Sequence, residues 1–477
     1  MASDTPRRPH APAEPGAATP PSATTPPIAR GKPRQAVIVI HGIGEQRPMD
    51  TLTGFVLGVL GTELGASGER LFYSKPDPNA GGFEQRRYRA FSADADSDFI
   101  EFYWQHLMPV AGWRFVLSWL WLLMRRPRGE VPARFAPLWW LCWLVTVALA
   151  AAALSGLVAP LLGLALPVPG APKLTGIAAA ALAALGLAVR GSVGDAAIYL
   201  NPHPRTVEAR NRIRAAGVAL LERLHADGRY DRIMVVGHSL GSVIGYDLLG
   251  FAWQRESEAL RRRLEAVGPA ADPTQPRLAR AEAAAGAGDG AAWRQAVRDL
   301  HYEQRRIGAR WLVTDLVTLG SPLAHASLLL ARGADDWARR VARRELPVAP
   351  PLREDGAHFS YERRAPPQGR RRPRVRVVDH AAVFGVTVWT NLYFPARGWW
   401  RGDPIGGAVA PAFGWGVWDR AVTTRVRGGW LAHAHYWTRY PGLERDRDAA
   451  PSVLTDSLDL SRARLRPPSD IAASPSS

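Results

Sequence analysis

The stretch Arg232–Phe251, RIMVVGHSLGSVIGYDLLGF, decides how the rest of the chain is read. Ile233 to Val236 form an apolar run of the length of a buried strand, and an apolar-periodic stretch of helical spacing follows from Leu240. Between them stands Gly237-His238-Ser239-Leu240-Gly241, too short for a loop. The pattern predicts a strand that turns sharply into a helix. Gly237, Gly241 and Gly245 supply the small residues that let strand and helix approach each other.

Other apolar runs fit the same architecture. RQAVIVIHGIGEQ (Arg34–Gln46) reads as a short buried strand stopped by Gly42 and Gly44. SDFIEFYW (Ser97–Trp104), WLVTDLVTLGSPL (Trp311–Leu323) and VTVWTNLYF (Val386–Phe394) are further strand candidates. Thr206–Leu224 has helical amphipathic spacing, and residues 254–310 are charged, Ala-rich and mostly helical. Strands separated by helices predict an α/β fold built on a mainly parallel sheet.

Between the second strand and Arg232 the composition changes. From Phe135 to Pro172 there is no charged residue, and Leu138–Ala159 contains no proline. At ~1.5 Å per residue that segment would reach about 30 Å, enough to cross a bilayer core. Leu174–Val189 is a shorter, Ala-rich second candidate, and Trp113–Arg126 mixes Trp, Leu and Arg as interfacial segments do. The expectation is an inserted transmembrane helical hairpin. Arg125, Arg126, Arg128 and Arg134 precede it and Arg190 follows it, so both ends are expected in the cytoplasm and the site on the cytoplasmic side of the inner membrane.

The expected organisation is a disordered tail over 1–34, rich in Pro, Ala and Thr, and an α/β domain in two parts, 35–104 and 191–445. The membrane insertion covers 105–190, a helical insertion 254–310, and a C-terminal tail 446–477. A single cysteine, Cys142, excludes an intrachain disulfide and a cysteine-rich zinc site. Lys and Arg exceed Asp and Glu by 60 to 43, a formal charge of +17 that suits nucleic acid, an anionic membrane surface, or neither. The Arg-dense region 339–374 lacks interleaved aromatics and any binding-module motif, so no nucleic-acid partner is expected. No H-E-x-x-H, Walker A or dinucleotide loop is present, and no cofactor or metal is expected.

Ser239 at the centre of G-x-S-x-G is the candidate nucleophile, with Gly237 and Gly241 as supports of the turn. A serine hydroxyl needs a base, and the base needs an orienting acid. Asp247 lies on the helix after the turn, Asp315 lies within a strand, and Asp379 precedes the last strand. Asp403, in RGDPIGG after that strand, is where the ligand-facing loops of a parallel sheet gather and is the preferred acid. WLAHAHYW offers His433 as base with His435 as the alternative, whereas His380 fits the chain order poorly. Leu240 and either Gly42 or Ile43 are the candidate oxyanion donors, with His41 as a support of their loop.

Taken in order, VIVIHGIGEQ, VVGHSLGS, TLGSPL, WTNLYF…GDPIGG and AHAHYW resemble the α/β-hydrolase superfamily. The set is particularly similar to membrane-associated bacterial relatives of lipases and to GPI-inositol deacylase-like proteins. The resemblance covers 35–104 and about 191–445. Its H-x-x-Y-W pattern falls on His433, Tyr436 and Trp437, favouring His433 over His435. It implies an α/β-hydrolase sheet and a serine esterase acting on lipid-like or small acyl esters. A catalytically idle membrane scaffold, or an acyltransferase with the same triad, are the alternatives.

Overall fold

The computed structural model describes residues 32–461 except 45–46, 65–69, 79–84, 93, 110–112, 138, 148–193, 202, 269–274, 355, 368–373, 397–400, 426–428 and 444. The expected N-terminal tail therefore lies almost wholly outside the described residues. Eight strands form one sheet: β1 (Arg34–Ile40), β2 (Phe72–Pro76), β3 (Arg86–Phe91), β4 (Asp96–Glu101), β5 (Arg232–His238), β6 (Val313–Leu319), β9 (Val388–Tyr393) and β10 (Trp418–Ala421). Their order is β10-β9-β6-β5-β1-β4-β3-β2, parallel from β10 to β4, with β3 and β2 antiparallel at one edge. A separate antiparallel hairpin joins β7 (Ser360–Arg364) to β8 (Arg374–Val378). The α/β class with a mostly parallel sheet is as expected.

The central strands are apolar without interruption because both faces of the sheet are covered. Along β1, Ala36, Ile38 and Ile40 enter one core while Val37 and Val39 enter the other. On the first face lie α3 (Pro204–Ala226), α4 (Leu240–Val267), α5 (Pro276–Ala287) and α6 (Gly290–Arg306). On the second lie α1 (Asp50–Leu60) and α7 (Ala450–Leu458). The chain runs from β1 to β4 on one side, then returns to place β5 on the other side of β1. The reversal falls at the C-terminal ends of β1 and β5, the place where α/β sheets bind their ligands.

Two expectations need correction. The transmembrane hairpin is not supported: among the described residues no helix is long and apolar enough to cross a membrane. α2 (Trp113–Met124) has 12 residues, about 18 Å against a hydrocarbon core of about 30 Å. Its Val116 and Trp119 are buried in the main core. Of the two spans, Leu138–Ala159 is described only over 139–147, and Leu174–Val189 lies outside the described residues.

Residues 254–310 hold the end of α4 with α5 and α6. Trp253 is buried in the main core with Trp293, Val297 and Leu300 of α6. The second correction concerns 446–477. Ala450–Leu458 forms α7, with Val453, Leu454 and Leu458 buried against β1 and β6 residues. The remaining tail residues, 462–477, lie outside the described part.

What holds α7 is a buried arginine at the N-terminal end of the sheet. Arg232 pairs with Asp315 at 2.8 Å and also donates to Thr314 Oγ1, Gln35 Oε1 and the carbonyls of Leu458 and Asp459. Its guanidinium joins β5, β6 and β1 to the end of α7. Removing one partner from such a set leaves a charge buried without compensation. Arg232→Ala is therefore expected to lower the unfolding free energy by about 3–5 kcal/mol in urea titrations. Arg232→Met with Asp315→Leu is expected to recover most of that loss, because neither charge is then stranded.

Candidate active site

Ser239 follows β5 directly and precedes α4 without an intervening residue. Its backbone has φ 53° and ψ −125°, a region that L residues avoid. The turn is held because β5, β1 and α4 leave no other path. A Cβ on Gly241 would lie 2.2 Å from the Ile40 carbonyl, and one on Gly237 would lie 2.5 Å from the Gly241 carbonyl. Both contacts are with backbone and cannot relax. Ser242 Oγ donates to the Gly237 carbonyl at 2.9 Å, and Ser239 N–H donates to Leu319 O at 3.0 Å. The strain is thus imposed by packing.

The loop after β1 lies over the serine. A Cβ on Gly42 would come within 2.8 Å of Ser239 Cβ and 3.2 Å of His238 Nδ1. His41 stacks on Trp104 at 4.9 Å and its Nδ1–H donates to the Gly42 carbonyl, while Trp104 Nε1–H donates to the His41 carbonyl. Burial lowers the His41 pKa to about 4, so the ring is neutral. Gly42 and Ile43 are thereby fixed beside Ser239, and Leu240 begins α4 on the other side. These are the positions from which two backbone N–H groups can converge on an oxyanion.

Asp403 is completely buried in the loop after β9 and accepts from His433 Nδ1 at 2.8 Å. Its carboxylate also accepts from Tyr436 Oη at 2.8 Å and from Ile405 N–H at 2.9 Å. Burial alone would raise its pKa. The His433 hydrogen bond and charge, with the Gly406 N–H and Tyr436, outweigh burial and hold it below the ordinary carboxylate value. Because Asp403 takes the Nδ1 proton, Nε2 of His433 carries the lone pair. That nitrogen is buried and has no hydrogen-bond partner, so Ser239 Oγ does not bond to it in this structure.

The remaining candidates are engaged elsewhere. His435 Nδ1 meets Thr438 Oγ1 and Tyr440 Oη, away from Asp403. Asp247 is taken by Arg214 and Tyr199, Asp315 by Arg232, and Asp379 by Arg344, with His380 beside it. Asp419 accepts from Asn391 and from the N–H groups of Val409 and Ala410, and so pins the loop that carries Asp403. No cluster of metal-ligating side chains occurs among the described residues.

Sequence reasoning gave no role to Gly320, Gly406 or His238. A Cβ on Gly320, at φ 55°, would meet Tyr436 at 2.6 Å, Asp403 Oδ2 at 2.8 Å and His433 Cε1 at 3.1 Å. One on Gly406 would lie 2.6 Å from Asp403 Oδ2. The glycines of TLGSPL and GDPIGG are the signal: each stands where a side chain would displace the acid–base pair. The fold is an α/β sheet with Ser239 at the end of β5 and the bonded Asp403–His433 pair in the loops that follow β9 and β10. Neither protein-family models, curated proteins nor solved structures give a match that would name a family.

Several titratable groups are held neutral by burial. His41 is lowered to about 4, and His238 and His301 to about 3, whereas Glu101 is raised to about 7. Near pH 5.5 unfolding lets the three histidines take up protons and lets Glu101 release one. The histidines win, so stability is full above pH 6.5 and falls as the pH drops toward 4. The expected slope near pH 5.5 is on the order of 2 kcal/mol per pH unit, read from urea midpoints at a series of pH values. A flat profile between pH 7 and 5 would contradict the buried neutral histidines.

Proposed function

We propose that the chain is a serine hydrolase of the α/β-hydrolase type that cleaves carboxylic esters through an acyl-enzyme. The observation that carries this reading is the strained backbone of Ser239. Packing forces an L residue to φ 53° at the tip of a parallel strand, between the Gly42 loop and the start of α4. A merely structural turn at this point would favour glycine.

In the reaction, Ser239 Oγ attacks the ester carbonyl while His433 Nε2 takes its proton. Asp403 holds the Nδ1–H and stabilises the imidazolium that forms. The negative oxygen of the tetrahedral intermediate is received by the N–H of Leu240 and by that of Gly42 or Ile43. His433 then gives the proton to the departing alkoxide, and the alcohol leaves. Water attacks the acyl-enzyme with His433 again acting as base, and Ser239 is restored. Because Ser239 Oγ and His433 Nε2 are not bonded in the free enzyme, their hydrogen bond forms as the substrate is seated.

A second observation favours lipid-like acyl esters. β4 leads from the site's end of the sheet into α2, where Leu117, Trp121 and Leu122 are exposed, as are Trp140, Leu144 and Val147 beyond it. Exposed Arg125 and Arg128 flank this face. Trp, Leu and Arg in that mixture suit the surface of an anionic bilayer, from which an acyl ester would reach the site.

Ser239→Ala is expected to abolish hydrolysis of short acyl esters, a loss of at least about 10³-fold in kcat, with an unchanged unfolding transition. His433→Ala is expected to be comparably inactive and Asp403→Asn strongly impaired, whereas His435→Ala retains most of the wild-type rate. Undiminished turnover by Ser239→Ala would overturn the assignment. Turnover of an ester dispersed in phosphatidylglycerol vesicles is expected to fall when Trp121 and Leu144 are both replaced by serine, with the soluble short-chain ester unaffected.

A further inference from the structure

The residue before the nucleophile is engaged with the base. His238 Nε2 lies 2.8 Å from the backbone carbonyl of His433. A carbonyl only accepts, so Nε2 carries the proton and the ring presents bare Nδ1 toward the Gly42 loop. The same ring sits 4.9 Å from that of His433, with Trp437 edge-on at 5.0 Å and Tyr436 at 6.0 Å. One side chain therefore touches the loop beside the serine, the turn itself and the backbone of the base.

That contact matters because of where His433 stands. It follows the four-residue helix Gly429–Ala432 and belongs to no strand. Asp403 fixes its ring at Nδ1, but a ring held at one nitrogen can still swing with its backbone. A bond to its own carbonyl from the end of β5 removes that freedom. Building on the serine-hydrolase reading, we infer that His238 is a positioning residue that locks the backbone of His433 to the nucleophile strand, so that His433 Nε2 faces Ser239.

The lock has to be neutral. An imidazolium forms on His433 in each half-reaction, and a second positive ring 4.9 Å away would oppose it. The titratable groups around His238 are His433, Tyr436, Asp403 and His41. Burial foremost, then the His433 charge, lowers the His238 pKa to about 3. The elbow histidine thus supplies a donor without a charge. A phenylalanine would supply neither the donor nor the fixed backbone, and a lysine would add a charge.

The test compares His238→Gln, whose side-chain amide N–H reaches about as far as imidazole Nε2, with His238→Asn, which is too short, and His238→Phe. Ester turnover is measured across pH 5–9 together with unfolding midpoints. In His238→Asn and His238→Phe, kcat is expected to fall by about 10²-fold, the size expected from a displaced base, with KM within threefold. The midpoint of the acid limb of kcat/KM is expected to move with it, and His238→Gln to recover most of the loss in both. A purely structural role would shift the unfolding midpoint and leave the acid limb in place. Equal kcat and acid limbs in His238→Asn and wild type would overturn this inference while leaving the serine mechanism standing. If the wild-type protein shows no Ser239-dependent turnover, the serine-hydrolase reading falls first, and this inference with it.

Discussion

The structure turns on the close approach of α4 to the end of β1. With Gly241 packed on the Ile40 and His41 carbonyls, the helix can start only one residue after β5 ends. Ser239 must then adopt a backbone conformation that L residues avoid. Everything near the site answers to this constraint. The Gly42 loop closes over the serine because no Cβ intervenes, and Gly320 and Gly406 leave room for Asp403 against His433. Strain at one residue is maintained by the close backbone packing of α4 on β1 and β5, with the Ser239 N–H bonded to the Leu319 carbonyl.

The acid and the base are held by a different principle. Asp403 is fully buried and would be costly to ionise alone. Four groups supply its compensation: the Nδ1–H of His433 and the Tyr436 hydroxyl from the base loop, and the Ile405 and Gly406 N–H groups from its own loop. Tyr436 in turn accepts from Phe394 N–H at 3.2 Å and stacks on Phe394. The base loop is thus tied to the end of β9 through the acid, and to the end of β5 through His238. A loop with almost no regular structure is located by polar bonds whose partners cannot be left unmet without penalty.

Much of this was legible in the sequence because the central strands are pure apolar runs and the turn glycines are unmistakable. The order serine, aspartate, histidine pointed to Asp403 and His433 as a pair, and the structure bonds His433 Nδ1 to Asp403. The peripheral strands were not legible. RRYRAF in β3, SYERR in β7 and WDRA in β10 are short and charged, and each leaves most of its side chains half-buried or exposed. The C-terminal helix was missed because Arg232, whose bonds hold it, lies more than two hundred residues away. The uncharged run after Phe135 invited a spanning hairpin, yet in α2 the same kind of apolar side chain packs into the domain core. His238 was hidden by its own motif, since the variable position of G-x-S-x-G carries no pattern.

The central claim is that the strain at Ser239 presents a nucleophile. It is tested most directly by treating the full-length protein with a fluorophosphonate and locating the adduct by mass spectrometry. The account predicts one covalent phosphonyl group on the peptide containing Ser239, absent from Ser239→Ala and greatly slowed in His433→Ala. An untouched Ser239, or an adduct that persists in Ser239→Ala, would contradict it.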